Sequence, residues 1–332
     1  MAVPCAAILG VEGLVLGPDE AAFLRDADPF GLILFGRNVG NPDQMRRLTG
    51  DLRTALGRDA PILIDQEGGR VQRLRAPHWR EWLPPLDQMA RARPGMAERS
   101  IWIRYRMIAA ELHGLGLDAN CAPSCDIAGD ETHPFLKNRC FGSDAATVAT
   151  SARAAAEGLL AGGVLPVMKH IPGHGRTLVD SHHHLPTALA PADELALTDF
   201  APFRALNDLP MGMTAHIVVP AHDALNPATQ SAAMVRVIRE EIGFHGLLLT
   251  DDLGMQALAG SPGQRAARAI AAGCDITLHC NGTRADLAET VAATGPMTAA
   301  ATARAAAALA CRRPPEPIDE AALMAELASL VT

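Results

Sequence analysis

The chain has 332 residues, of which 48% are hydrophobic, 20% are charged and 4% are aromatic. This apolar fraction excludes a disordered or fibrous protein, and the length is sufficient for a large core without disulfides or structural metal. The net charge is −8 and there is no long basic run. We therefore expect no nucleic-acid partner, because phosphate binding needs clustered lysine and arginine.

The cysteines and the first residues are typical of a cytoplasmic protein. The seven cysteines form no Cys-x-x-Cys pair, which fits a reducing compartment better than a disulfide framework. The N-terminal apolar run lacks a basic region before it and is interrupted by Glu12. It therefore predicts a first strand rather than a signal peptide. No charge-free apolar stretch reaches the roughly 18 residues that a membrane span needs, so we expect no membrane association.

Short apolar runs alternate with segments of helical period along most of the chain. The predicted strands are 6–11, 31–35, 61–65, 117–123, 164–170, 211–219, 246–251 and 274–280. The predicted helices are 43–56, 97–114, 145–161, 230–242 and 263–272. Eight continuously apolar strands, mostly separated by helices, predict an α/β fold: a (β/α)₈ TIM barrel in a single domain with a C-terminal helical extension.

We expect residues 1–296 to form the barrel and residues 297–332 to form C-terminal helices packed on it. The tail contains an Ala-rich helix at 297–311, a Pro-rich break and a last helix at 319–331. A doubly wound dinucleotide-binding fold is the alternative for this alternation. Its Gly-x-Gly-x-x-Gly fingerprint is absent from the sequence.

Polar or ionisable side chains follow nearly every predicted strand, where a barrel builds its active site. Asp65 ends the third strand and Arg73 follows it, Arg139 lies after the fourth, and Lys169 and His170 end the fifth. These donors and the carboxylate fit the hydroxyls of a small polyol such as a sugar ring. Alternatively, the same residues form ion pairs that join the barrel loops. The pattern favours an enzyme with a small-molecule substrate.

Two acidic motifs supply candidate catalytic groups. The seventh predicted strand ends in Asp251, and Asp252 is the next residue. A carboxylate there can be a nucleophile, a general base or a metal ligand; Asp252 could instead cap the next helix. Asp180 and His182 lie two residues apart in a Gly- and His-rich segment. In a loop, Asp180 could orient the imidazole and raise its pKa, so that His182 acts as an acid and then as a base.

A metal cluster of His170, His174 and His182–His184 is the alternative for this segment. Pro172 and Gly173 break the helix that a His-x-x-x-His pair needs, and the sequence contains no His-Glu-x-x-His motif. We therefore expect neither a metal nor a cofactor.

Together, these motifs resemble glycoside hydrolase family 3. They are LIDQEGGRVQR at 63–73, KHIPGHG at 169–175, the Asp180-Ser-His182 element and TDDLGM at 250–255. The similarity runs in order from residue 31 to residue 281, and it is strongest to single-domain bacterial β-N-acetylglucosaminidases of peptidoglycan recycling.

The resemblance implies metal-free, retaining removal of terminal β-linked N-acetylglucosamine, in particular from muropeptides with anhydro-N-acetylmuramic acid. It implies that Asp251 is the nucleophile and that His182 is the acid/base, with Asp180 as its partner. The residues matching those that hold the sugar are Asp65, Arg73, Arg139, Lys169 and His170. A β-N-acetylglucosaminide phosphorylase, a metal-dependent barrel hydrolase and a non-catalytic sugar-binding protein are the alternatives. The sequence does not identify a protein partner.

Overall fold

The computed structural model describes residues 3–177, 179, 181 and 184–332. Its centre is a closed barrel of eight parallel strands, each paired with the next along the chain and the last with the first. The predicted TIM barrel is therefore confirmed. The strands are β1 (Cys5–Gly10), β2 (Pro29–Leu34), β3 (Ile62–Ile64), β4 (Ala119–Asn120), β5 (Leu165–Ile171), β6 (Met211–Thr214), β7 (Leu247–Asp252) and β8 (Ile276–His279).

Helices connect the strands and extend the chain beyond β8. They are α1 (Pro18–Ala27), α2 (Pro42–Leu56), α3 (Pro85–Arg91), α4 (Ala97–His113), α5 (Pro134–Lys137), α6 (Ala145–Ala161), α7 (Ala192–Leu197), α8 (Ala201–Ala205), α9 (Ala232–Glu240), α10 (Pro262–Ala272), α11 (Arg284–Thr294), α12 (Ala299–Ala310) and α13 (Glu320–Leu330). Single turns of 3₁₀ helix occupy Gly36–Asn38 and Ala228–Gln230. Within the described part of the chain, no helix combines the length and the apolar character needed to cross a bilayer.

The predicted helices between strands correspond to α2, α4, α6, α9 and α10, and their ends differ by no more than two residues. The sequence pattern does not predict α1, α3 or α11. These helices lack a broad apolar stripe: among their apolar side chains, α1 buries Leu24 and α11 buries Leu287. A helical period is difficult to detect when so few of its positions face the core.

The last helices close and brace the barrel. Met297 and three alanines of α12 (Ala301, Ala305, Ala308) pack with the inward-facing side chains of the strands in one hydrophobic core. Arg304 of α12 donates to Asp275, just before β8, at 2.7 Å. The N-terminal end of the barrel is thereby filled, and the opposite end is left for the site.

Two short hairpins extend from the carboxyl ends of the strands. Gln66–Gly68 pairs with Val71–Gln72 after β3, and Val218–Val219 pairs with Asp223–Pro227 after β6. The prediction of one strand over 211–219 is wrong in its second half, because the chain leaves the barrel after Thr214. The tight turn of the first hairpin uses Gly68 and Gly69 with φ of 108° and 58°, a backbone region that glycine enters at little cost.

Candidate active site

A cavity of about 240 Å³ opens at the carboxyl ends of the strands. This is smaller than the roughly 300–1,000 Å³ of pockets for drug-sized ligands and suits a ligand the size of one sugar ring. Six of the eight predicted site residues line it: Asp65, Arg73, Arg139, Lys169, His170 and Asp251. The barrel therefore brings together side chains that are up to 186 positions apart in the sequence (251 − 65 = 186).

The other two predicted site residues, Asp180 and His182, lie outside the described residues. Ser181, between them in the sequence, and His174, a few residues earlier, both line the cavity. The roles of Asp180 and His182 stay predictions from the resemblance.

Two carboxylates and three cations form a network at one side of the cavity, in which every member except the buried Glu67 lines the cavity. Asp65 accepts from Arg73 at 2.9 Å and from Lys169 at 3.1 Å. Glu67 lies 2.6 Å from Lys169 and receives two bonds from Arg139, at 2.9 and 2.8 Å. Lys169 thus bridges the two carboxylates, and Arg139 forms a bidentate ion pair with both carboxylate oxygens of Glu67.

The network keeps its members charged. Burial alone would raise the pKa of Glu67, but Arg139 and Lys169 outweigh it and lower that pKa to about 2. In the same way, Lys169 and Arg73 overcome the burial of Asp65 and hold its pKa well below the ordinary value. The ion pairs that the sequence analysis gave as an alternative are present, yet the same side chains face the cavity. The two interpretations of these residues are compatible.

Glu67 is a member of the site to which the sequence analysis gives no role. Its side chain is 1% exposed and makes three polar contacts with Arg139 and Lys169. A signal for it exists in the sequence: residues two apart in an extended segment point to the same side, and Glu67 follows Asp65 by two positions.

The two acidic residues at the end of β7 have different surroundings. Both line the cavity, but their hydrogen bonds differ: the Oδ1 of Asp251 accepts the backbone N–H of Asp252 at 2.8 Å. The Oδ1 of Asp252 accepts the backbone N–H groups of Gly254 and Cys280, both at 2.9 Å. Asp252 therefore fastens β7 to the end of β8 and does not cap a helix; the next helix, α10, is capped by Ser261.

The environment of Asp251 favours its charged form. Burial raises the pKa of this carboxyl, but His170, His216, the Asp252 N–H and Lys169 together lower it below the ordinary value. Asp251 is thus a carboxylate at neutral pH. His216 also fixes the local backbone, because its Nε2 donates to the Asp252 carbonyl oxygen at 2.9 Å.

The imidazole rings of the two histidines in the KHIPGHG block have different hydrogen-bond partners. His170 contacts Asp126 through Nδ1 at 2.6 Å, and His174 contacts Thr177 Oγ1 through Nδ1 at 2.7 Å. Burial lowers the pKa of His174 to about 4, so its ring is neutral at neutral pH. Within the part of the chain that the structure describes, no group of three or more His, Cys, Asp and Glu side chains could hold a metal ion.

A closed parallel barrel with a charged pocket at the carboxyl ends of its strands has the arrangement in which barrel enzymes build their active sites. Residues 16–310 match the model of the glycosyl hydrolase family 3 N terminal domain. A beta-hexosaminidase of Vibrio cholerae serotype O1 is 38% identical over 280 residues, which cover 82% of both chains. The chain therefore belongs to glycosyl hydrolase family 3 and is a glycoside hydrolase.

Solved structures of similar proteins agree with this assignment. NagZ from Neisseria gonorrhoeae in complex with N-trifluoroacetyl-D-glucosamine has a TM-score of 0.86 and 30% identity, with 99% of both chains covered. A family 3 beta-N-acetylglucosaminidase from Paenibacillus sp. str. FPU-7 has a TM-score of 0.88 and 28% identity, with 98% of this chain and 67% of that chain covered. The likeness to the Neisseria protein thus extends over nearly the entire length of both molecules.

Proposed function

We propose that the protein is a retaining exo-β-N-acetylglucosaminidase, an enzyme of the β-N-acetylhexosaminidase class. The observation that carries the proposal is the carboxylate of Asp251 at the end of β7, which lines the same sugar-sized cavity as the charged side chains of Asp65, Arg73, Arg139 and Lys169. The names of the similar proteins supply the sugar: hexosaminidase, β-N-acetylglucosaminidase and a bound N-acylated glucosamine.

In the first step, the Asp251 carboxylate attacks the anomeric carbon while protonated His182 gives its proton to the departing glycosidic oxygen. The bond to the leaving group breaks and a glycosyl ester of Asp251 forms. In the second step, neutral His182 takes a proton from water, whose oxygen displaces Asp251. Retaining glycosidases commonly use a second carboxyl group in this role. Here the imidazole of His182 takes it, because histidine is the side chain that ordinarily changes charge near neutral pH, with Asp180 stabilising its cationic form.

The charged wall positions the sugar. Asp65 accepts bonds from hydroxyls, while Arg73, Arg139 and Lys169 donate to sugar oxygens. Because these groups are already paired with each other, the wall is arranged before substrate arrives. Positioning of this kind lowers the entropic part of the barrier.

For the natural substrate, we propose muropeptides in which N-acetylglucosamine is joined to anhydro-N-acetylmuramic acid, and for the location the cytoplasm. The resemblance of the motifs to peptidoglycan-recycling enzymes is the basis for the muropeptide, and the N-acylated glucosamine bound by the Neisseria protein supports its N-acetylglucosamine part. The seven free cysteines, six of them buried, are compatible with a reducing compartment. We also propose that residues 297–332 are an accessory to the catalytic barrel at 1–296.

The test of the proposed function is release of a chromophore from two matched glycosides. We expect the β-N-acetylglucosaminide to be cleaved at least 100-fold faster than the β-glucoside, at a rate that a chelator leaves unchanged. Activity that a chelator removes and zinc restores would instead establish a metal-dependent hydrolase. Binding of N-acetylglucosamine without release of chromophore would establish a sugar-binding protein.

The phosphorylase alternative is decided by the product. We expect free N-acetylglucosamine both in water and in phosphate buffer. The phosphorylase is an alternative because a neutral imidazole repels phosphate less than a carboxylate would. Formation of N-acetylglucosamine 1-phosphate in phosphate buffer would favour it.

Replacing His182 by alanine should slow substrates with poor leaving groups most, because these depend most on protonation. We expect a loss of about 10²–10⁴-fold for an alkyl aglycone, typical of general acid catalysis, and a much smaller loss for a dinitrophenyl aglycone. An equal loss for both would contradict the acid role. Asp180→Asn should shift the pH–rate profile, and an unchanged profile would remove Asp180 from the pair.

A further inference from the structure

We propose that Asp126 is a positioning residue that sets the tautomer of His170, and thereby the direction of the hydrogen bond that His170 makes with the sugar. The inference rests on the proposed function, because it takes His170 to be a sugar contact. Asp126 is fully buried and is not part of the cavity wall. It therefore acts on substrate only through a neighbour.

Asp126 lies between two parts of the site. Its Oδ2 is 2.6 Å from Nδ1 of His170, and its Oδ1 accepts the backbone N–H of His174 at 2.6 Å. Ser124 also donates to Oδ2, at 3.2 Å. Burial would raise the pKa of Asp126, but His170, His174 and the backbone bond hold it well below the ordinary value. Asp126 is thus an ionised acceptor for each of these groups.

The contacts of His170 define which ring nitrogen carries the proton. Its Nε2 lies 3.3 Å from Nη2 of Arg139, and a guanidinium can only donate. Nε2 therefore has a free lone pair for that bond, and the ring proton is on Nδ1, directed to Asp126. Such a carboxylate or carbonyl partner is the usual determinant of a histidine tautomer.

The tautomer determines what His170 offers in the cavity. Arg139 holds Glu67 by a shorter bond of 2.8 Å from the same Nη2, so a sugar hydroxyl can replace Arg139 as the donor to Nε2 of His170. With the other tautomer, an N–H at Nε2 would face both the N–H of Arg139 and the hydroxyl that should donate. The position of the ring proton thus decides whether Nε2 of His170 accepts a hydrogen bond from the sugar or donates one to it.

Asp126→Asn changes this arrangement with little change in volume. An asparagine has one acceptor oxygen, whereas His174 N–H and His170 Nδ1–H require two. The backbone N–H cannot change its polarity, so we expect the asparagine oxygen to stay with His174. Its NH₂ then faces Nδ1 of His170, and the ring proton moves to Nε2.

The direct experiment is ¹⁵N NMR of histidine-labelled protein without substrate, with the His170 signals assigned by their loss in His170→Gln. We expect the Nδ1–H tautomer in the unmodified protein and the Nε2–H tautomer in Asp126→Asn. The control is Asp275→Asn. Like Asp126, Asp275 is a buried carboxylate, but its partners are two arginines and it lies at the other end of the barrel. His170 should therefore stay Nδ1–H in this variant.

Kinetics then connect the tautomer to the sugar. We expect kcat/KM of Asp126→Asn to fall by about 10- to 100-fold, as for a mispaired buried hydrogen bond. In a His170→Gln background, the same substitution should cost less than about threefold, because both changes act on one contact.

Several results would overturn the proposal. One is an unchanged tautomer in Asp126→Asn, and another is a switched tautomer with unchanged kcat/KM. A loss that persists in the His170→Gln background, or that grows with the pKa of the leaving group, would show that Asp126 acts through the loop after His174. Since the NMR measurement uses no substrate, inactivity of the unmodified protein on N-acetylglucosaminides would overturn the proposed function separately.

Discussion

Asp251→Asn should lower kcat on a chromogenic β-N-acetylglucosaminide by about 10⁴-fold or more, the scale seen when a catalytic nucleophile is removed. The amide keeps the shape of the side chain but has no negative charge and cannot form the glycosyl ester. We expect the Kd for N-acetylglucosamine to change by less than about tenfold, because the charged wall of Asp65, Arg73, Arg139 and Lys169 remains in place. Steady-state kinetics and calorimetric titration measure the two quantities.

Asp252→Asn is the matched control on the same strand. Asparagine retains an oxygen that can accept from the N–H groups of Gly254 and Cys280, the two bonds that Asp252 Oδ1 makes. We expect its activity to stay within about tenfold of the unmodified protein. A larger loss in Asp252→Asn than in Asp251→Asn would reassign the nucleophile. As a positive test, Asp251→Gly supplied with azide should produce the α-glycosyl azide from an activated β-glycoside.

Arg139→Met should lower the free energy of unfolding by about 3–5 kcal/mol, the usual cost of removing one partner of a buried ion pair. Arg139 and Glu67 are 7% and 1% exposed, so the substitution leaves a buried carboxylate with Lys169 as its remaining cation. Activity should also fall, because Arg139 is a proposed sugar contact. Urea denaturation, with circular dichroism as the signal, measures the change in stability.

Arg99→Met provides the control, because Arg99 also makes two bonds to one glutamate, Glu326, at 2.8 Å each. That pair is 44% and 37% exposed, and exposed pairs contribute about 1 kcal/mol or less. In addition, Arg139→Met combined with Glu67→Gln should be more stable than Arg139→Met alone, since the buried carboxylate that has lost its arginine is replaced by a neutral amide. Equal losses in the Arg139 and Arg99 variants would contradict the role of burial.

The barrel is predictable from the sequence because parallel strands buried on both faces are continuously apolar, as in the run from Leu247 to Leu249. The hairpin after β3 is not predictable in the same way. Its turn depends on Gly68 and Gly69 at positive φ, and two- or three-residue strands carry too few side chains for a period to appear. The same shortness explains why the chain's departure from the barrel after Thr214 is missed.

The sequence predicts which residues belong to the site better than it predicts which of them pair with each other. A residue at the carboxyl end of a buried strand must lie at the mouth of the barrel, which places Asp65, Lys169 and Asp251 correctly. Which carboxylate pairs with which cation depends on side-chain directions across different loops. Glu67 and Arg139 are 72 positions apart in the sequence, and no spacing rule relates them.

The ion-pair network at the cavity also limits how this protein can change in evolution. Lys169 serves Asp65 and Glu67 at the same time, and Glu67 in turn depends on Arg139. A single substitution here disturbs several partners, so recognition of a different sugar at this position requires coordinated replacements. Divergence among relatives should therefore concentrate on the rim of the cavity, where new aglycones can be accepted one substitution at a time.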